Sequence, residues 1–256
     1  MRDRLIGAAV ALEFHEEILR SVPDRAIGVV LYGSVARGDA SGASDIDLLV
    51  IADLHDKNRA VGRTNVTTYD EDQFRSAAGT LYGMHIARDG VVLHDSGSVE
   101  KDISNFGEVD VERVEGRLAQ LAMLLEFPDT ELRSNLQGYS RHARYVLRTA
   151  TYLAALKDGK PCFSVSELAD LNGDPSLVAL LSSHLPVQGE ATWDSFLELR
   201  RRSRKLVQPE AAMEYDSLSD AIVGFIHTRP DLADAGILLL ERSSTDPYAA
   251  IPRVIL

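Results

Sequence analysis

Between Ile27 and Ile51 the chain reads IGVVLYGSVARGDASGASDIDLLVI. The residues in it that could do chemistry are two acids, Asp45 and Asp47, and an upstream Gly33-Ser34 turn. Side chains alternate along an extended strand, so Asp45 and Asp47 share one face while Ile46 points to the other. Adjacent carboxylates repel, and keeping both charged is costly unless a cation lies between them. Mg²⁺ is a hard ion that binds through one or two carboxylates together with substrate phosphates. Gly33 lets backbone approach closely, and free N–H groups beside the Ser34 hydroxyl are what a triphosphate needs. The same turn also reads as an ordinary strand-to-helix junction with Ser34 as cap, a compatible role because helix N-termini attract anions. Arg37 and Gly38 follow. Arg37 either neutralises phosphate charge or pairs with Asp39. Neither a P-loop nor a Rossmann fingerprint is present.

Together, Gly33-Ser34, Arg37-Gly38 and Asp45-x-Asp47 resemble the motif of the DNA polymerase β-like nucleotidyltransferase superfamily. The length and helical second half are similar to its small bacterial branch, the aminoglycoside nucleotidyltransferases and the minimal nucleotidyltransferases of toxin–antitoxin and defence loci. The resemblance implies an α+β protein: an N-terminal nucleotidyltransferase fold, with a mixed sheet flanked by helices, followed by a C-terminal helical bundle. It implies Mg²⁺-dependent transfer of a nucleoside monophosphate from an NTP, ATP by family habit, to a hydroxyl acceptor. That acceptor would be an aminoglycoside, a tRNA 3′ end or a protein side chain, lying between sheet and bundle. Asp45 and Asp47 would hold the metal, one of them also touching a second ion. Gly33 and Ser34 would cradle the β- and γ-phosphates, with Arg37 and Gly38 completing the nucleotide site. A homodimer or a partner protein is left open.

The chain departs from the family at a third acidic position, where Asn65 stands in TNVTTYDED. Asparagine offers a carbonyl oxygen to a metal or water but cannot accept a proton at neutral pH. The base then comes from Asp70, Glu71, Asp72 or a helical-domain carboxylate, or the metal alone acidifies the acceptor, or turnover is poor. Asp70, Glu71 and Asp72 read first as the acidic start of a helix. The alternative function is a weakly or non-catalytic module acting through partner binding in a toxin–antitoxin or defence system.

The elements that must position these residues follow from periodicity. A helix is expected over Arg2–Arg20, strands over Ile27–Leu31, Asp45–Ala52, Thr64–Tyr69 and Val91–His94, and a helix from Glu71 to about Arg88. The polar stretch Asp95–Gly107 suggests a junction, dividing a nucleotidyltransferase domain, 1–105, from a helical acceptor- or partner-binding domain, 106–256. Beyond it come a helix from Val111 stopped by Pro128, a long one from Asp129 or Thr130 to near Gly159, and a short one behind a Ser164/Glu167 capping box. Further helices are expected after Pro175 and over Trp193–Val207 and Ala211–His227.

Composition narrows the classes. The chain has 256 residues and a net charge of −12, which argues against broad nucleic-acid binding. One cysteine, Cys162, excludes an internal disulfide framework and fits a reducing cytoplasm. No apolar run reaches membrane-spanning length. The cluster Arg200-Arg201-Arg202 with Arg204 and Lys205 reads as a solvated helix face more than a phosphate grip. On the long helix, Arg141, His142 and Arg144 lie beside Tyr139 and Tyr145. They lack the arginine–histidine spacing of the ribonuclease domains that accompany minimal nucleotidyltransferases. Cys162, Trp193 and Phe196 read as packing residues.

Overall fold

The structure, a computed structural model, describes residues 1–8, 10–40, 44–53, 59–182 and 191–240. Residues 41–43, in the loop between the Gly-Ser and Asp-x-Asp motifs, lie outside the described residues. The chain divides into two compact units, Met1–Asp110 and the residues from Val111 onward.

In the first unit, α1 (Arg2–Gly7) and α2 (Leu12–Ser21) precede β1 (Gly28–Tyr32), which runs straight into α3 (Gly33–Arg37). Then come β2 (Ile46–Ile51), β3 (Arg59–Val61), β4 (Thr64–Tyr69), α4 (Glu71–Arg75), α5 (Leu81–Asp89), β5 (Val91–Asp95) and α6 (Val99–Ile103). The sheet order is β3-β4-β2-β1-β5. It is mixed: β2 runs parallel to β4 and antiparallel to β1, while the edge strands β5 and β3 run antiparallel to β1 and β4 respectively. β1 and β2 are central and covered on both faces, which is why they are almost continuously apolar. Leu5, Phe14 and Ile18 pack on one face against Val29, Leu31, Leu48 and Val50. Phe74, Ile86, Val99 and Phe106 pack on the other against Val30, Leu49 and Ile51. This is an α+β architecture with helices following.

Two expectations for this unit are corrected, and two features are added. The single helix over Arg2–Arg20 is two helices. Beyond Gly7 the chain turns so that the buried His15 Nε2 meets the Val10 carbonyl at 2.8 Å. Phe14 and Ile18 then face the sheet, while Leu12 is left 79% exposed. The helix expected from Glu71 to Arg88 is also two. Asp70 and Gln73 form a reciprocal capping box on α4, and the Thr80 hydroxyl accepts the Gly83 N–H at 2.9 Å to start α5. Strand β3 is an addition, pairing outside β4. Glu17 fastens this hairpin to α2, accepting from the Arg63 N–H at 2.7 Å and the Thr64 hydroxyl at 3.3 Å. Finally, the polar stretch 95–107 is ordered within the sheet's second core. The Asp95 carboxylate accepts from the N–H groups of Gly97, Val99 and Glu100 at 2.9, 3.3 and 3.0 Å, launching α6.

The second unit is helical: α7 (Val111–Met123), α8 (Asp129–Ser134), α9 (Leu136–Lys157), α10 (Val165–Asn172), α11 (Ser176–Leu181), α12 (Trp193–Leu206), α13 (Leu218–Phe225) and α14 (Pro230–Leu240). The 22-residue α9 is its axis, packed against α7, α10, α11, α12 and α14. Tyr139, Ala143, Val146, Leu147 and Leu153 are buried along it, and Cys162 is buried nearby in sequence. The long helix expected from Asp129 breaks at Asn135, whose side-chain amide bonds the Leu239 carbonyl. The Ser164/Glu167 capping box does not form: the Ser164 hydroxyl meets that of Ser166 at 2.7 Å instead. The helix expected over Ala211–His227 starts only at Leu218, because the Ser217 hydroxyl accepts the Asp220 N–H at 3.1 Å as an N-cap. α14, opening on Pro230, lies beyond the expected elements. Among the described residues no helix is long and apolar enough to cross a membrane.

The place of Phe106 is testable. It is 1% exposed and stands 5.1 Å from Phe74, ring to ring. Phe106→Ala should cost about 3–5 kcal/mol of unfolding free energy in urea. A loss below about 1 kcal/mol would remove it from this core.

Candidate active site

The Gly-Ser turn is built from the end of β1. Tyr32 is the last strand residue, and Gly33 turns the chain into α3 at φ +76°. A Cβ on Gly33 would stand 2.5 Å from Asp47 Oδ2, so any side chain there would have to displace that carboxylate, at a left-handed backbone angle that already favours glycine. Gly38 ends α3, also left-handed at φ +78°, but open space surrounds it. The N–H groups of Gly38 and Asp39 bond the carbonyls of Val35 and Ser34 at 3.4 and 3.1 Å.

Register brings the polar residues of three strands to this turn. Tyr32 pairs with Asp47 across the antiparallel β1–β2 ladder, and Asp47 pairs with Asn65 across the parallel β2–β4 ladder. Ladder partners share a face, and alternation adds Thr67 and Tyr69 to it. Asp45, just before β2, accepts from Asn65 Nδ2 at 3.3 Å. Thus Asp47 meets this patch through Gly33, and Asp45 meets it through Asn65. Asp45, Asp47, Ser34 and Asn65 are all half-buried.

Behind the acids lies a tyrosine cluster that sequence reasoning missed. Tyr32 stands edge-on to Tyr82 at 5.8 Å, and Tyr82 to Tyr69 at 6.1 Å. Burial, and then the negative charge of Asp47, push the Tyr32 hydroxyl far above its ordinary pKa, against hydrogen bonds to Thr67 and Tyr82 that act the other way. Tyr82 is raised chiefly by burial, and then by Tyr32 and Tyr69. Tyr32 therefore stays protonated beside Asp47. The signal available in the sequence was the alternation Asn65, Thr67, Tyr69, which repeats the polar face of the Asp-x-Asp strand.

Arg37 lies with its neighbours: Nε is 3.3 Å from Asp39 Oδ2, and Nη1 is 3.6 Å from Asp89 Oδ2. Asp70, Glu71 and Asp72 start α4, with Asp70 as its cap. Among the described residues, no three or more His, Cys, Asp or Glu side chains converge as a metal cluster. Two carboxylates and one carboxamide still fit Mg²⁺, which characteristically takes one or two protein carboxylates and completes its shell with phosphate and water. Asp47 Oδ2 fills the space a Gly33 side chain would occupy, so the turn and this carboxylate adjoin.

The second-half candidates are structural. His142 is buried, and its Nε2 lies 2.8 Å from the Leu121 carbonyl. Burial pushes its pKa down to about 4, only partly opposed by that bond. The basic cluster on α12 is matched by acids. Arg200 faces Asp129 at 3.4 Å, Arg201 pairs with Glu198 at 2.6 Å, and Arg202 with Asp174 at 2.6 Å. Arg204 pairs with Glu126 at 2.9 Å. Trp193 stacks on Phe196 at 5.3 Å and under the Arg133 guanidinium at 3.8 Å.

Residues 13–118 match the nucleotidyltransferase domain family. None of the curated proteins matches the chain. Among solved structures, a nucleotidyltransferase-like protein from Exiguobacterium sibiricum is 15% identical, with 78% of this chain and 73% of that chain covered. Its TM-score of 0.28 is too low to bear on fold or activity.

Two outcomes follow from this geometry. Gly33→Ala should cost about 2–3 kcal/mol, and Gly38→Ala, strained by backbone alone, about 1 kcal/mol. Equal losses on thermal unfolding would contradict the close approach of Asp47. His142 binds no proton in the folded state between pH 6.5 and about 4, whereas the unfolded chain does. Stability is therefore full above 6.5 and falls as pH drops toward 4. At about 1.4 kcal/mol per pH unit, its share is roughly 3 kcal/mol. His142→Gln should flatten the pH dependence of unfolding by that share; an unchanged slope would place His142 in water.

Proposed function

We propose that the protein transfers a nucleoside monophosphate from an NTP, ATP by default, to a hydroxyl acceptor with release of pyrophosphate. The acceptor oxygen bonds the α-phosphorus, the bond from that phosphorus to the oxygen bridging the β-phosphate breaks, and the hydroxyl proton passes to water. The observation that carries this reading is the Asp47 carboxylate seated against Gly33, with Asp45 beside it through Asn65.

Asp45 and Asp47 would hold Mg²⁺, and the Asn65 carbonyl oxygen is available as a third protein ligand. Bound there, Mg²⁺ supplies charge neutralisation for the triphosphate and its leaving pyrophosphate. The Gly33-Ser34 backbone and hydroxyl donate to phosphate oxygens and fix the chain of the nucleotide. Tyr32, kept protonated, walls the carboxylates from the apolar core without adding charge. Arg37 and Gly38 complete the turn, Arg37 lending positive charge from behind and Gly38 closing α3. Asn65 cannot take the acceptor's proton. Residues 1–105 would carry the nucleotide chemistry, and the helices of 106–256 the acceptor (an aminoglycoside, a tRNA 3′ end or a protein) or a partner, a second copy included. The family branch would be the small bacterial one, and the single buried cysteine fits work in the cytoplasm.

Asn65 favours a second reading, a weakly or non-catalytic module that acts in a toxin–antitoxin or defence system by binding a partner. The test separates the two. The protein is incubated with Mg²⁺, each α-labelled NTP and a panel of aminoglycosides, tRNA and proteins, alongside Asp45→Asn and Asp47→Asn. Label should pass to one acceptor class and fall at least about 100-fold in either variant. Transfer that survives both substitutions contradicts the assignment of the acids. No transfer from any NTP, with a stable protein partner retained, favours the module.

A further inference from the structure

Asp89, the last residue of α5, has a side chain only 6% exposed, and the proposed chemistry gives it no task. Its Oδ2 lies 3.6 Å from Arg37 Nη1 and 3.6 Å from His85 Nε2, and its Oδ1 3.2 Å from Arg88 Nε. Arg37 Nη1 and His85 Nε2 are themselves 3.5 Å apart. A carboxylate this buried is costly to keep charged unless basic groups surround it, as they do here.

The partners of Asp89 sit at the two ends of α3. Arg37 is its last residue. His85 stands edge-on to Tyr32 at 5.8 Å, and Tyr32 is the residue immediately before α3. Five residues make too short a helix to hold itself in place. Contacts with its surroundings must therefore set where it lies, and Asp89 contributes at both ends. What α3 carries at its start is Gly33, against Asp47.

We infer that Asp89 is a positioning residue for nucleotide binding: through Arg37 and His85 it clamps α3 so that the Gly33-Ser34 turn keeps its spacing from Asp47. This rests on the proposed function, and Asp89 itself touches no nucleotide. Without the Asp89 charge, Arg37 is left with His85 and the more exposed Asp39, and the hold on the far end of α3 weakens.

The test titrates Mg²⁺·ATP, and the three other Mg²⁺·NTPs in turn, onto wild type, Asp89→Asn, His85→Phe and Ile18→Val by calorimetry, with a thermal melt of each. Asp89→Asn is nearly isosteric and should raise Kd about tenfold. His85→Phe keeps a ring against Tyr32 but loses the nitrogen facing Asp89, and should shift Kd in the same direction by a smaller factor. Ile18→Val, a one-methylene trim in the core that also holds Val35 of α3, lowers the melting temperature but keeps both polar holds of Asp89 on α3 and should leave Kd within about twofold. The backbone amide resonances of Gly33 and Ser34, recorded without nucleotide, should move in Asp89→Asn and stay in place in Ile18→Val. Unchanged Kd in both Asp89→Asn and His85→Phe, or a rise that Ile18→Val shares, overturns this inference alone. A wild-type protein that binds no Mg²⁺·NTP overturns the functional reading and this inference with it.

Discussion

The contact on which the rest depends is that of the Asp47 carboxylate with the backbone at Gly33. It places a negative charge where any other residue's side chain would be, and it joins β1 to β2 at the point where their ladder ends. A charge held there against a left-handed glycine is tolerable only because its surroundings are polar on one side and uncharged on the other. Asn65 and Thr67 line the polar side, and Tyr32 and Tyr82 seal the other with hydroxyls that burial keeps protonated. The two central strands can present this feature because their remaining residues are apolar and covered by helices on both faces.

Around that contact, each peripheral element holds one part in place. Glu17 ties the β3–β4 hairpin to α2, and so sets the start of β4, one residue before Asn65. Asp89 reaches α3 from behind. Asp95 launches α6, which brings Val99 and Phe106 under the sheet. These fastenings are short-range polar bonds from otherwise unremarked acids. In a chain with net charge −12, a good part of the acidic excess is therefore spent on internal positioning. On α12 the converse holds: five basic residues in six positions read in sequence as a solvated helix face, and four of them are met by Glu126, Asp129, Asp174 and Glu198.

The strands and the acid pair were legible because their signals are local. Alternation placed Asp45 and Asp47, an unbroken apolar run marked β1 and β2 as central, and the β-branched run Thr64–Tyr69 marked β4. Helix ends were less legible, since spacing alone continues a helix past a break that tertiary contacts impose. His15 reaching the Val10 carbonyl, Thr80 capping α5 and Asn135 reaching Leu239 each cut a helix that periodicity would extend. Tyr32, Tyr82, His85 and Asp89 went unread for a related reason. Singly each fits an ordinary core or surface position, and only the fold brings them around α3. The segment 95–107, polar and glycine-bearing, read as a domain junction, and its sequence did not show that Asp95 and Phe106 fasten it to the sheet.

The most direct measurement of the central claim is paramagnetic line broadening by Mn²⁺ added together with ATP. The account predicts that the amide signals of Gly33, Ser34, Asp45 and Asp47 broaden first, that they do so far more strongly with nucleotide present, and that Asp47→Asn abolishes the effect. Broadening centred elsewhere in the chain, or unaltered by Asp47→Asn, would contradict it.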